Sequence, residues 1–427
     1  MATGKLALLG GEKYIKAPFK SYNSIGIEEL NAAKNVIESG VLSQFLGAWD
    51  KDFFGGPYVQ RFERDCEKFF NVKHAVTVNS WTSGLVAAVG AINIEPGDEV
   101  ITTPWTMCAT ATAILAWNAI PIFADICPHT FNLDPISVRN NITEKTKAIM
   151  AADIFGQSCQ IKDLKEICEE YDLKLILDTA QSPGAIHNHE FAGTLGDVGG
   201  FSLNYHKHIH TGEGGIIVTN CDKIAEKLQL IRNHAEAVVA DKGVLDLTNM
   251  LGYNFRLGEI EAAIGIEQLK KLSNFTNSRQ LAAQQLNAGL NELSGLNIPE
   301  VLSENTHVYY VYGMTLDIKL LGVSRKKIFE ALSAEGIEGL MCGYANIHML
   351  PMYQNKIAYG SRGFPWSADF ARKNIEYNKG ICPVAERLQD ETFLGFEICL
   401  HDLSKGDVDA IIGAFHKVWA NLNALRD

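Results

Sequence analysis

The chain has 427 residues, more than one small core needs and enough for two domains that share an interface. Hydrophobic residues make up 47% and charged residues 21%, the balance of an ordinary globular protein. A formal net charge of −12 opposes nonspecific binding to nucleic acid or an anionic membrane, so an anionic substrate needs a local basic pocket.

The nine cysteines are scattered, odd in number and without a Cys-x-x-Cys pair, which reads as free thiols in a reducing compartment. The apolar run near the N-terminus is too short for a signal peptide. No apolar stretch approaches the ~20 residues that cross a bilayer. The expected location is cytoplasmic.

Residues 25–39 carry helical periodicity, with Gly40 where a C-terminal cap belongs. The segment 41–57, rich in glycine, aromatic and acidic residues, reads as a long loop of the kind that contributes to sites. A second helix is expected at 58–70. From residue 74, short apolar, largely β-branched runs at 75–79, 99–103, 120–126, 148–154 and 173–178 alternate with helical stretches at 83–94, 108–117 and 161–172. That alternation predicts an α/β fold, a doubly wound and mostly parallel sheet with helices on both faces. Runs at 201–204 and 216–220 flank a glycine-rich turn and read as adjacent strands joined without a long helix. After residue 250 a long helical stretch, 258–294, precedes a mixed region with a strand at 307–316. The expected division is a large α/β domain over 1–270, with a helical N-terminal segment 1–72, and a smaller C-terminal α+β domain over 271–427.

Three segments carry chemistry. Asp178 ends the run LKLILD, at the carboxyl end of a predicted parallel strand, where ligands bind in such sheets. A carboxylate there either caps a helix or holds the protonated ring nitrogen of a pyridine cofactor. Gln181, just beyond, is within reach of a ring substituent. Lys207 follows a buried strand and precedes a GEGG turn; burial lowers a lysine pKa, and only the neutral amine attacks an aldehyde. The turn at 75–85 offers helix N-terminal amides with the hydroxyls of Thr82 and Ser83, a ready phosphate site or a simple helix cap.

With these residues in place, the segments NSWTSGL (79–85), PGDEVITTPWTMCATATAIL (96–115), DTAQSPGA (178–185), GDVGGFSLNYHKHIHTGEGG (196–215), GYNFRLGEIEAAIG (252–265) and CPVAERL (382–388) resemble the DegT/DnrJ/EryC1/StrS group of sugar aminotransferases over nearly the whole chain. The resemblance implies fold type I of the pyridoxal phosphate enzymes, with a mostly parallel seven-stranded sheet in the large domain. It implies that Lys207 holds pyridoxal 5'-phosphate covalently and shuttles the proton, that Asp178 pairs with the pyridinium nitrogen, and that Gln181 contacts the ring hydroxyl. Thr82, Ser202 and the backbone after Trp81 are implied to hold the phosphate, and Asn254 to reach it from the other subunit of a homodimer with shared active sites. Trp81 stands where the family often has glycine. Met107 stands where an aromatic usually stacks on the ring, with Trp105 as the nearby alternative.

The implied reaction moves an amino group from glutamate or glutamine, by a ping-pong mechanism, to a ketose that is nucleotide-linked and destined for a polysaccharide or a secondary metabolite. A carbocyclic ketose or a small phosphorylated ketone is the alternative acceptor. The stretch 343–353, with Tyr309, Tyr310 and Arg362, is where the sugar would lie. Some members carry histidine in place of the lysine and dehydrate the sugar; His206 and His208 flank Lys207, but the spacing from Ser202 to Gly212 sets Lys207 on the family lysine. Two rivals are a metal site built from His206, His208 and His210 on one strand face, and a non-catalytic regulatory homologue; the first lacks a carboxylate or cysteine at matching spacing, and the second sits poorly with an intact Lys207, Asp178 and Gln181.

Overall fold

The structure is a computed structural model that describes residues 4–426. Seven strands form the large sheet: β1 (His74–Val78), β2 (Glu99–Thr102), β3 (Ile120–Phe123), β4 (Thr146–Ala152), β5 (Lys174–Asp178), β6 (Val198–Ser202) and β7 (Gly215–Thr219). Their order is β1-β7-β6-β5-β4-β2-β3. Neighbours are parallel except that β7 runs antiparallel to β1 and to β6. The runs are near-continuously apolar because both faces are covered: in β4 only Lys147 is exposed.

The helices are α1 (Ile27–Ser39), α2 (Pro57–Phe70), α3 (Trp81–Ala91), α4 (Ala109–Ala116), α5 (Ile161–Tyr171), α6 (Glu259–Leu290) and α7 (Lys405–Ala420), with shorter ones between. Gly40 ends α1 at φ 73°, the left-handed cap the sequence predicts. The segment 41–57 holds one short helical turn, Lys51–Phe54, in otherwise irregular backbone. At 32 residues α6 is about 48 Å long. Its Ala262, Ile266 and Leu269 pack with Phe62 and Leu257, while its Ala283, Leu286 and Leu290 pack with Val408, Ile411 and Phe415 of α7. Beyond it, β8 (Leu296–Asn297), β9 (Tyr312–Leu316), β10 (Leu340–Met341) and β11 (Phe393–Phe396) form an antiparallel sheet in the order β8-β9-β11-β10.

Two strands fall well short of their predicted runs, each for a visible reason. The run 120–126 stops pairing at Phe123 because Asp125 turns its carboxylate to the backbone N–H groups of Val384 and Ala385, at 2.8 and 3.0 Å. In 307–316, pairing begins only at Tyr312: Tyr309 sits at φ 49°, and the amides of Tyr310 and Val311 donate to the Phe155 carbonyl. That second diversion brings the chain back across the carboxyl end of β4. Phe393, Tyr353, Ile347 and Cys382 accordingly share one core with Ile122, Phe123 and Phe155. Among the described residues no helix is long and apolar enough to cross a membrane.

Candidate active site

The carboxyl ends of β4, β5 and β6, the N-terminus of α3 and two tyrosines from the C-terminal half line a cavity of about 250 Å³. Its lining includes Trp81, Thr82, Met107, Asp178, Gln181, Ser202 and Lys207, residues from four separate stretches of sequence.

Lys207 is 8% exposed. The chain leaves β6, makes a turn in which the Lys207 amide donates to the Asn204 carbonyl at 2.9 Å, and returns to β7 through Gly212 and Gly214. Gly214 has φ 158°, and a Cβ there would lie 2.7 Å from the Thr211 hydroxyl, so the return requires glycine. The Lys207 ammonium lies 4.5 Å from the centre of the Tyr310 ring and has no ion-pair partner among the described residues. Burial pulls its pKa down to about 8 against the opposing charge of Asp178.

Asp178 is buried at the end of β5, and every acceptor contact it makes is with a neutral donor. Oδ1 accepts the indole N–H of Trp81 at 2.6 Å and the Ala180 amide at 3.3 Å; Oδ2 accepts the Thr110 hydroxyl at 2.7 Å. Gln181 is engaged at both ends: its carbonyl accepts the Phe155 amide at 2.9 Å, and its amide donates to the Tyr344 hydroxyl at 2.9 Å. Phe155 is held at φ 60°, so Gln181 fastens a left-handed turn and aims Tyr344 in one arrangement. Desolvation pushes the Tyr344 hydroxyl up to about 12, which keeps it a neutral donor. Asp153, at the other edge, is raised to about 6 by burial, and accepts Thr179 Oγ1 at 2.7 Å and the Cys159 amide at 2.7 Å.

At α3, Ser80 caps the helix: its Oγ accepts the Ser83 amide at 3.1 Å, and the Gly84 amide donates to its carbonyl. The first two amides, of Trp81 and Thr82, have no intrahelical acceptor and head the cavity beside the Thr82 hydroxyl. Ser83 itself is spent on the cap, its hydroxyl 2.9 Å from that of Ser80, and does not line the cavity.

Several expected residues fall elsewhere. Trp105 is wholly buried against Phe393 and Tyr344, whereas Met107 lines the cavity and is 59% exposed. Asn254 lies outside this cavity; its side-chain oxygen accepts Arg256 Nε at 2.8 Å. Of the residues expected near a sugar, Tyr310 and Tyr344 line the cavity, whereas Tyr309 is stacked on His307, Tyr353 is fully buried and Arg362 is exposed. The three alternating histidines share no face, because 205–211 is a turn and not a strand. His206 enters the cavity, His208 is buried against the Val308 carbonyl, and His210 accepts the Gly212 amide. Sequence reasoning passed over Thr110, Thr106, Asp153 and the Trp81 side chain. Thr110 and Trp81 carry no local signal, since their meeting with Asp178 is made only by the sheet order.

A phosphorylated pyridine aldehyde fits these donors. The α3 amides with Thr82 and Ser202 suit a phosphate, Asp178 suits a ring N–H, and Lys207 supplies a buried amine without a counter-ion. Asn204 also lines the cavity, and its Oδ1 is a buried acceptor without a hydrogen-bond partner among the described residues.

The family model described as the DegT/DnrJ/EryC1/StrS aminotransferase family matches residues 37–392. The chain is 30% identical over 388 residues to the spore coat polysaccharide biosynthesis protein SpsC of Bacillus subtilis, covering 90% of this chain and 96% of that protein. It is 34% identical over 331 residues to GDP-perosamine synthase of Vibrio cholerae, covering 77% and 87%. It is 30% identical over 421 residues to L-glutamine:2-deoxy-scyllo-inosose aminotransferase of Streptoalloteichus tenebrarius, covering 93% and 96%. Among solved structures, an aminotransferase from Psychrobacter cryohalolentis superposes with a TM-score of 0.81 at 25% identity, covering 95% of this chain and all of that one.

Proposed function

The chain belongs to the DegT/DnrJ/EryC1/StrS aminotransferase family and is a pyridoxal phosphate-dependent aminotransferase; we propose that it moves an amino group from glutamate or glutamine to the keto carbon of a nucleotide-linked sugar. The observation that carries the reading is the buried, unpaired amine of Lys207 in one cavity with Asp178 and the open N-terminus of α3.

Bound there, pyridoxal phosphate supplies the electron sink that makes a proton on the substrate carbon labile. The rest falls to the chain. Lys207 Nζ would hold the cofactor covalently, and the same amine would take and return that proton; its lowered pKa leaves a usable neutral fraction at physiological pH. Asp178 would accept the ring N–H through the acceptor position left free on Oδ2. Gln181 and Tyr344 would offer polar groups to the edge of the ring, and Met107 would cover a face through its polarizable sulfur. The amides of Trp81 and Thr82, with the Thr82 and Ser202 hydroxyls, hold the phosphate. Asn254, which lies outside the cavity of its own chain, would complete the site of a second copy and make a homodimer the working unit. Its place in this reading is the cytoplasm.

A carbocyclic ketose is the second reading, favoured by the inosose aminotransferase matched over 93% of this chain. One experiment decides between them: the enzyme is converted to its pyridoxamine form with glutamate or glutamine, and ketosugars and inososes are tested for restoring the original absorbance. Restoration by inososes alone would exclude the nucleotide-sugar reading. Lys207→Ala keeps the fold and loses turnover; substantial residual transamination in that variant removes Lys207 from the proton step.

A further inference from the structure

We propose that Trp81 is a positioning residue that acts on the cofactor's ring nitrogen through Asp178. Its indole Nε1–H donates to Asp178 Oδ1 over 2.6 Å, and both side chains are buried. A carboxylate offers about four acceptor positions. The protein fills two on Oδ1, from Trp81 and the Ala180 amide, and one on Oδ2, from Thr110. The remaining position is on Oδ2, and Asp178 lines the cavity. The ring N–H takes that position, and the Trp81 and Thr110 donors on the two oxygens prevent the carboxylate from rotating away from it.

The fold makes room for the indole at cost elsewhere. A Cβ on Gly84 would lie 2.7 Å from indole Cε3, and one on Gly200 would lie 2.4 Å from Cζ3 and Cη2. A Cβ on Gly215 would lie 2.9 Å from the Trp81 backbone. The ring is therefore seated between α3 and β6 with its N–H aimed at the end of β5, and side chains at 84 or 200 would move it. Glycine, which the family often carries at position 81, has no donor to offer the carboxylate. Trp81 also heads α3, so one residue ties the phosphate end of the cavity to its ring-nitrogen end. Filling the niche needs only an aromatic ring; the short hydrogen bond to a charged oxygen is the additional feature, and such bonds are worth roughly tenfold or more in an equilibrium.

The proposal rests on the assignment of Asp178 to the ring nitrogen, and the experiment separates the two. The full-length chain is stripped of cofactor and titrated by calorimetry with pyridoxal phosphate and with its analogue that has C–H in place of the ring nitrogen. Wild type prefers pyridoxal phosphate, and Asp178→Asn abolishes the preference. Trp81→Phe keeps a ring and cuts the preference about tenfold, while affinity for the carbon analogue is unchanged. Benzothienylalanine at position 81, with sulfur in place of the indole N–H, gives the same loss and covers the case in which Trp81→Phe packs badly. No preference in wild type, or one that survives in Asp178→Asn, overturns the Asp178 assignment and the proposal with it. A preference lost in Asp178→Asn but intact in both Trp81 replacements overturns the role of Trp81 alone. Equal weakening of both ligands in the Trp81 replacements also overturns it, since that is what a purely structural tryptophan gives.

Discussion

Replacing Lys207 by Met in the cofactor-free chain should stabilise it at neutral pH, and the gain should fade in alkali. Burial lowers the Lys207 amine from its ordinary 10.5 to about 8, with Asp178 opposing. Between those values the unfolded chain binds more protons at this site than the folded one, so stability rises with pH across the window and the penalty is full below about 8. At pH 7 the gap corresponds to about 3 kcal/mol, and at pH 9.5 to about 1.5 kcal/mol. With Lys207 only 8% exposed, solvent screening reduces this little. Methionine retains most of the apolar stem and removes the charge. Urea unfolding of both proteins at the two pH values, followed by circular dichroism, should show the gain falling by about half. A difference that does not change with pH, or a wild type more stable at pH 7, would refute the desolvation account. The same lowering leaves about a tenth of the amine neutral at pH 7, against a few parts in ten thousand for an exposed lysine.

Three further outcomes follow from the packing. Tyr344→Phe removes the 2.9 Å bond to Gln181 and leaves that buried amide short of an acceptor; cofactor affinity should fall several-fold, about 1 kcal/mol, read by calorimetric titration. Arg232→Met strands the carboxylate of Glu63, to which Arg232 Nη1 donates at 2.5 Å beneath β1, and should cost about 3–5 kcal/mol in urea unfolding; adding Glu63→Leu should recover much of it. Gly84→Ala places a methyl against the Trp81 ring and should destabilise by about 1–3 kcal/mol, with a smaller loss in a Trp81→Phe background, measured as a double-mutant cycle.

Much of the fold was legible in local pattern. The alternation of apolar runs with helical periods fixes a parallel sheet, because strands covered on both faces have few other compositions, and it places Asp178 and the α3 turn at strand ends. Lys207 was legible because its neighbours are: a strand before it and obligate glycines after it leave a buried turn as its place. Strand limits were less legible, since Asp125 and the Phe155 carbonyl divert backbone by contacts with segments more than a hundred residues away in sequence.

What only the tertiary structure decided are the pairings that no spacing encodes. Position 81 reads as a backbone contact, yet its side chain crosses to β5, 97 residues on, because α3 packs over β6 and β7, beside β5. The sequence sets Met107 at the position that covers the ring with Trp105 as the alternative, and the C-terminal segment closes on Trp105 and leaves Met107 at the cavity. The three histidines seemed a set only while 205–211 could be a strand. A sequence determines which residues can do chemistry and roughly where the chain must bury them. Which oxygen of Asp178 is left open is set by donors that arrive from α3 and α4, and that depends on how distant segments pack in three dimensions.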